Sequence, residues 1–168
     1  MKESTKGMVY AALATACVTV VTMSLQVPVP QTRGYINLGD AAIMVFALLL
    51  GRKWGAIAGG VGSALADVLT GYAHWAPFTL IIKGLEGFIA GHAAHRSKGL
   101  LVQFSFLLLA GCEMVAGYFL SEVAMYGLGA ALAELPGNFL QAGSAMVIAP
   151  LLVTAILKTE KALMHHRT

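Results

Sequence analysis

Residues 76–94 read APFTLIIKGLEGFIAGHAA, a stretch long and apolar enough to cross a bilayer, yet Lys83 and Glu86 sit well away from both of its ends. An ionised group at such depth costs about 2.5–3.5 kcal/mol on insertion scales. Such groups persist where they pair with each other, line a wet cavity or bind something. The stretch therefore points to a membrane as the solvent of the fold and to a polar feature inside it.

The rest of the chain has the same character. Of 168 residues, 58% are hydrophobic and only 11% charged, against about 25% charged in a typical soluble domain. So few charges cannot cover one small core. A net charge of +3 raises nucleic acid as a partner, but the basic residues form no single patch. They fall in short clusters between apolar runs, which is a membrane pattern and argues against nucleic acid. Cys17 and Cys112 lie inside apolar runs and read as small buried hydrophobes, without disulfide or metal-site spacing. The first run follows MKESTK and lacks a small-residue cleavage site, so it reads as a first span rather than a removed signal peptide.

Six candidate helices follow, at 7–27, 36–51, 55–71, 76–94, 100–125 and 135–157, each near the ~17–25 residues a span needs. The second is short and begins with polar residues. No linker is long enough to hold another domain, so residues 1–168 read as one all-α integral membrane domain of six transmembrane helices. Lys2, Lys6, Arg52, Lys53, Arg96, Lys98, Lys158, Lys161 and Arg167 fall on one side, and only Arg33 on the other, with Lys83 inside a span. That bias predicts cytoplasmic N and C termini, with the loops at 28–35, 72–75 and 126–134 facing outward.

Small residues mark close helix packing. Gly55-xxx-Gly59, continuing to Ser63, and Gly87-xxx-Gly91 read as internal contacts between spans. Ala12-xxx-Ala16 on the first helix reads either as internal packing or as a surface that docks a partner protein.

With orientation assigned, the polar residues converge at the outer side. Asp40, Asp67, Lys83, Glu86, Tyr118, Glu122, Asn138 and Gln141 all fall in outer or middle portions of their spans, and Glu113 lies nearer mid-membrane. Lys83 and Glu86 are i,i+3, as are Asn138 and Gln141, and Tyr118 and Glu122 are i,i+4, so each pair shares a face. Tyr35, Tyr72, Trp75 and Tyr118 lie at the same level. Rings with a few fixed polar groups suit a small, flat, polar ligand. Plainer readings remain open. Lys83–Glu86 would serve equally as an internal brace, and Tyr72 and Trp75 as interfacial belt residues. Asp67 and Glu113 would be satisfied by helix–helix hydrogen bonds. His74 reads as a solvated loop residue, and His92, His95, His165 and His166 give no metal pattern. The loop VPVPQTRGY (27–35) is stiffened by two prolines and freed at Gly34; it would lie over the cavity as a lid, or serve as a plain connector.

GYINLGDA (34–41), after a proline-bearing loop, resembles the substrate-binding S components of energy-coupling factor (ECF) transporters. KGLEG (83–87), LPGNFLQ (135–141) and the Ala12-xxx-Ala16 pair resemble the same family, and the likeness covers nearly the whole chain. The GYINLGD segment is most similar to the subgroup linked to hydroxymethylpyrimidine and related ring-shaped precursors, with pyridoxine next. The resemblance implies a vitamin-capturing subunit in the plasma membrane of a prokaryote, surrounded by lipid. It would join one transmembrane T component and two cytoplasmic ATPases, which use the ATP, and would topple to release ligand inside. No cofactor is implied in this chain, which has no Walker-type sequence. Ala12 and Ala16 match the family's docking motif for the T component. The implied substrate-binding positions are Lys83, Glu86, Tyr118, Glu122, Asn138 and Gln141, with Asn37 and Asp40 near the lid and Trp75 stacking on the ring.

A membrane-embedded enzyme would need a nucleophile with its base or clustered metal ligands. The chain has no GxSxG, no HExxH and no aspartate-rich diphosphate motif, so neither catalytic nor metal residues are assigned. A channel would carry polar residues through its full depth, which the inner halves of these spans lack. A stand-alone carrier for a small polar metabolite remains the alternative.

Overall fold

The computed structural model describes residues 3–94 and 99–165. Lys2, His95, Arg96, Lys98, His166 and Arg167, assigned above to loops and tail, lie outside the described residues. In chain order the elements are α1 (Glu3–Ser24), β1 (Gln26–Val29), β2 (Gly34–Asn37), α2 (Gly39–Leu50), α3 (Arg52–Thr70), α4 (Ala76–Ala90), α5 (Leu100–Tyr126) and α6 (Leu128–His165). A single 3-10 turn, Gly91–Ala94, follows α4.

Two joints are one residue long. Gly51, at φ 83°, separates α2 from α3, and Gly127, at φ 88°, separates α5 from α6. Each donates its N–H back into the preceding helix, to Ala47 O at 2.9 Å and Val123 O at 3.0 Å. A side chain is strained in that left-handed region, so glycine is what allows a full reversal without a loop.

The helices pack as a bundle in which α3 lies between α1 and α4, α4 meets α5, and α5 meets α6. Helix α2 is the inner element, packed against α1, α3, α4 and α6. Its Ile43, Met44 and Ala47 are fully buried. The tightest crossing joins α3 and α4. A Cβ on Gly55 would stand 2.7 Å from Gly87 O, and one on Gly60 2.7 Å from Leu80 O; Gly59 lies against Lys83 O. Backbone therefore meets backbone, as the glycine spacing predicts. Outside the bundle, Leu13, Val20, Ile81, Leu101, Leu140 and Leu151 are all exposed. Apolar surface on this scale belongs in lipid, and the fold is that of a helical membrane protein.

The structure refines two expectations and corrects two. The bundle is all-α apart from residues 26–37, which form an antiparallel hairpin with Gln26 opposite Asn37 and Val29 opposite Gly34. Its prolines are compatible with a two-stranded ribbon, where one side of each strand needs no partner, and Arg33 takes φ 50° in the turn. The six helices of the described residues also differ in length from the expected spans. Among the described residues, α1, α5 and α6 contain stretches long and apolar enough to cross a membrane. Helix α2 has 12 residues and α4 has 15, about 18 and 22 Å at the usual helical rise, against a hydrocarbon core of about 30 Å. Next, residues 128–134 are helix rather than outer loop, because α6 runs 38 residues through both Pro136 and Pro150. Finally, Cys17 and Cys112 are exposed on the bundle surface, since their apolar neighbours face lipid rather than a core.

Gly59→Leu is expected to destabilise the protein by about 1–3 kcal/mol through overpacking. Gly143→Leu, at a position with nothing within 4 Å of a new Cβ, is expected to leave it nearly unchanged. Thermal unfolding of the two variants in the same detergent checks the contrast.

Candidate functional site

Lys83, on α4, is held where α3 and α4 touch backbone to backbone, and its side chain is only 2% exposed. Its Nζ donates to Glu86 Oε2 at 3.0 Å and to Asp40 Oδ1, across on α2. The same Asp40 oxygen accepts from Gln141 Nε2 on α6 at 3.0 Å. Gln141 Oε1 in turn accepts the backbone N–H of Asn37, the last residue of β2, at 2.7 Å. One chain of charge-assisted bonds thus runs from α4 through α2 and α6 to the hairpin. The Lys83 ammonium also lies 5.3 Å from the centre of the Tyr118 ring, a cation–π distance.

Above this ion cluster is a tight cavity, with about 30 Å3 open to the centre of a water-sized sphere. Strand β2 lines it with Gly34, Tyr35 and Asn37, α1 adds Thr22 and the α3–α4 joint Trp75, and α3 to α6 supply the remainder, including Asp67, Thr79, Tyr118 and Glu134. The hairpin is tied down at several points. Tyr35 Oη donates to Asp67 Oδ1 at 2.6 Å, Trp75 Nε1 to Thr32 O at 3.3 Å, and Gln26 Nε2 to Thr70 Oγ1 at 3.3 Å. Burial, and then the Asp67 carboxylate, raise the Tyr35 phenol above its ordinary range, so it remains a donor. Trp75 is buried, with its ring centre 5.9 Å from those of Phe78, Tyr118 and Tyr126. On the far wall Asn138 Nδ2 donates to Glu122 Oε1 at 3.2 Å. Asp67 Oδ2, Glu122 Oε2 and Glu134 Oε2 are buried and find no hydrogen-bond partner among the described residues.

The model of the family described as "ECF-type riboflavin transporter, S component" matches residues 2–158. The chain belongs to this S component family. It is 32% identical over 160 residues to the "Thiamine precursor transporter HmpT" of Lactococcus lactis subsp. cremoris (strain MG1363), covering 94% of this chain and 91% of that protein. It is also 48% identical over 134 residues to an "Uncharacterized protein in gap 3'region" of Pyrococcus woesei, covering 78% and 88% of the two chains. The family is one of transporter components.

Seven of the nine substrate-site residues read from the sequence line the cavity of this S component: Asn37, Trp75, Lys83, Tyr118, Glu122, Asn138 and Gln141. Asp40 and Glu86 are not among the lining residues; they hold the lysine. Ala12 and Ala16 lie elsewhere, on the exposed side of α1. Glu134 was missed because Pro136 looked like the start of a helix. Yet Glu134, Asn138 and Gln141 follow an i, i+4, i+7 spacing and share one face. Thr79 was missed too, although it precedes Lys83 by four residues on the same face of α4. Tyr118 Oη donates to it at 3.2 Å.

Removing one member of a buried ion cluster leaves uncompensated charge, at about 3–5 kcal/mol. Lys83→Met is expected to lower stability by that order. Replacing Asp40 and Glu86 by leucine in the same protein is expected to recover most of the loss. Thermal unfolding of the single and triple variants measures both effects.

Proposed function

We propose that this S component captures a small ring-shaped vitamin or vitamin precursor in the cavity beneath the hairpin, with hydroxymethylpyrimidine the first candidate and pyridoxine the next. The observation that carries the reading is the cavity itself: rings and hydrogen-bonding groups from five helices and one strand converge on it above a buried ion cluster. The family description names riboflavin, whereas the relative's name gives a thiamine precursor. The space is tight, with only about 30 Å3 open to the centre of a water-sized sphere. That favours a single substituted ring over a tricyclic flavin with its side chain. In this reading Trp75 and Tyr118 flank the ring, while Asn138 and Gln141 read its heteroatoms or a hydroxymethyl group.

The same proposal assigns residues 1–168 to one six-span domain in a prokaryotic plasma membrane, with cytoplasmic termini and the hairpin end outside. The nine-to-one bias of basic residues supports this orientation. The hairpin with the short α2 behind it would account for the second crossing. Helix α1 would meet a T component through Ala12 and Ala16, whose small side chains permit close approach, and two ATPases would supply the energy from ATP. A stand-alone carrier would instead transport without these partners.

Calorimetry on the purified protein in detergent is expected to show tighter binding of hydroxymethylpyrimidine than of pyridoxine or riboflavin. Asn138→Ala and Gln141→Ala are each expected to weaken that binding at least about tenfold, or 1.4 kcal/mol. Tighter binding of riboflavin would overturn the ligand assignment. The double variant Ala12→Leu/Ala16→Leu is expected to bind ligand normally and to lose uptake in cells that supply the T component and ATPases. Full uptake by that variant, or uptake by the chain alone, would favour the carrier.

A further inference from the structure

Glu122 on α5 and Glu134 on α6 stand beside one another across the helix interface, and both line the cavity. Their side chains are 1% and 5% exposed. Asn138 engages one oxygen of Glu122, and Oε2 of each carboxylate remains without a partner among the described residues. Lys83 is the only lysine or arginine among the lining residues, and its ammonium is already held by Asp40 and Glu86. An unpaired buried carboxylate is costly, and here two lie together with no free cation among the described lining residues to offset them. The Thr32 hydroxyl reaches Glu134, and two other donors of the cavity are committed: Trp75 Nε1 to Thr32 O, and Tyr35 Oη to Asp67. Gly34 of the hairpin lies beside the pair, where a Cβ would stand 3.5 Å from Glu134 Oε1.

Resting on the capture reading above, we propose that Glu122 and Glu134 form a subsite for an amidine-type edge, an amino group beside a ring nitrogen, which makes this protein selective for aminopyrimidines. Two adjacent N–H donors, one of them on a protonated ring nitrogen, match the spacing of a carboxylate and form a bidentate, charge-assisted pair. One carboxylate takes the edge, the amino group's second N–H reaches the other, and the Oε2 atoms gain donors that no described residue gives them. A ring lacking the amino group leaves buried acceptors unsatisfied, and sites built to hydrogen-bond a particular group reject analogues that lack it far more strongly than apolar pockets reject a missing methylene. Glu86 lies outside the lining with its Oε2 held by Lys83, and Asp67, which does line the cavity, already accepts from Tyr35 Oη.

The test is calorimetry on the full chain in detergent with two probes: 4-amino-5-hydroxymethyl-2-methylpyrimidine and the same ring with oxygen replacing the amino group. The wild type is expected to favour the amino probe at least tenfold. Glu134→Gln and Glu122→Gln are each expected to reduce that ratio at least tenfold, while their melting temperatures confirm folding. A folded variant of either kind that keeps the wild-type ratio overturns the subsite and leaves the capture reading standing. Should Glu134→Gln fail to fold, Glu122→Gln decides alone. A wild type that binds the amino probe without preference also overturns the subsite. A wild type that binds neither probe overturns both the subsite and the assignment of a pyrimidine ligand.

Discussion

One buried ammonium organises the polar end of this bundle. Lys83 Nζ meets Asp40 of α2 and Glu86 of its own helix, and the network continues through Gln141 of α6 to the backbone of the hairpin. Such a cluster gains little net stability over a well-packed apolar one of the same volume, because desolvation offsets the attraction. What it fixes is position. Asp40 must face α4, Gln141 must face α2, and Asn37 must end its strand where Gln141 can reach it. The glycine contact between α3 and α4 makes this possible, since Gly59 packs against the carbonyl of Lys83 itself.

The cluster also separates two chemical environments. Above it lie rings, amides and acids under a strand that covers them. Below it the core is aliphatic, with Met44, Ala47, Ala90, Leu107, Ala145 and Ala149 packed together. A ligand entering beneath the hairpin meets a floor in which Lys83 is already held by two carboxylates, while Asp40 Oδ2 and Glu86 Oε1 keep no partner among the described residues. That arrangement suits capture and retention better than conduction, and it agrees with membership of a family of substrate-binding components.

Much of this was legible in the sequence, for identifiable reasons. Helical spacing put Lys83 with Glu86, Tyr118 with Glu122, and Asn138 with Gln141 on common faces, and all three pairs meet in or under the cavity. Glycine spacing predicted the α3–α4 contact. The partner that Asp40 provides to Lys83 was not legible, because 43 residues separate them and no local period links residues on different helices. The hairpin was hidden by two prolines, which mark a loop as readily as an edge strand. Glu134 was hidden by Pro136, which reads as a helix start but here lies within α6. The exposed cysteines show a further limit: apolar neighbours signal burial in a soluble core, but in a membrane they also mark the lipid-facing surface.

The most direct measurement is a structure of the protein with hydroxymethylpyrimidine bound in a lipid nanodisc. The predicted result is one ring under β2, between Trp75, Asn138 and Gln141, with Lys83 still joined to Asp40 and Glu86. A ring in the apolar groove walled by Leu48, Phe104, Leu107, Pro150 and Val153, with the cavity beneath the hairpin unchanged, would contradict it.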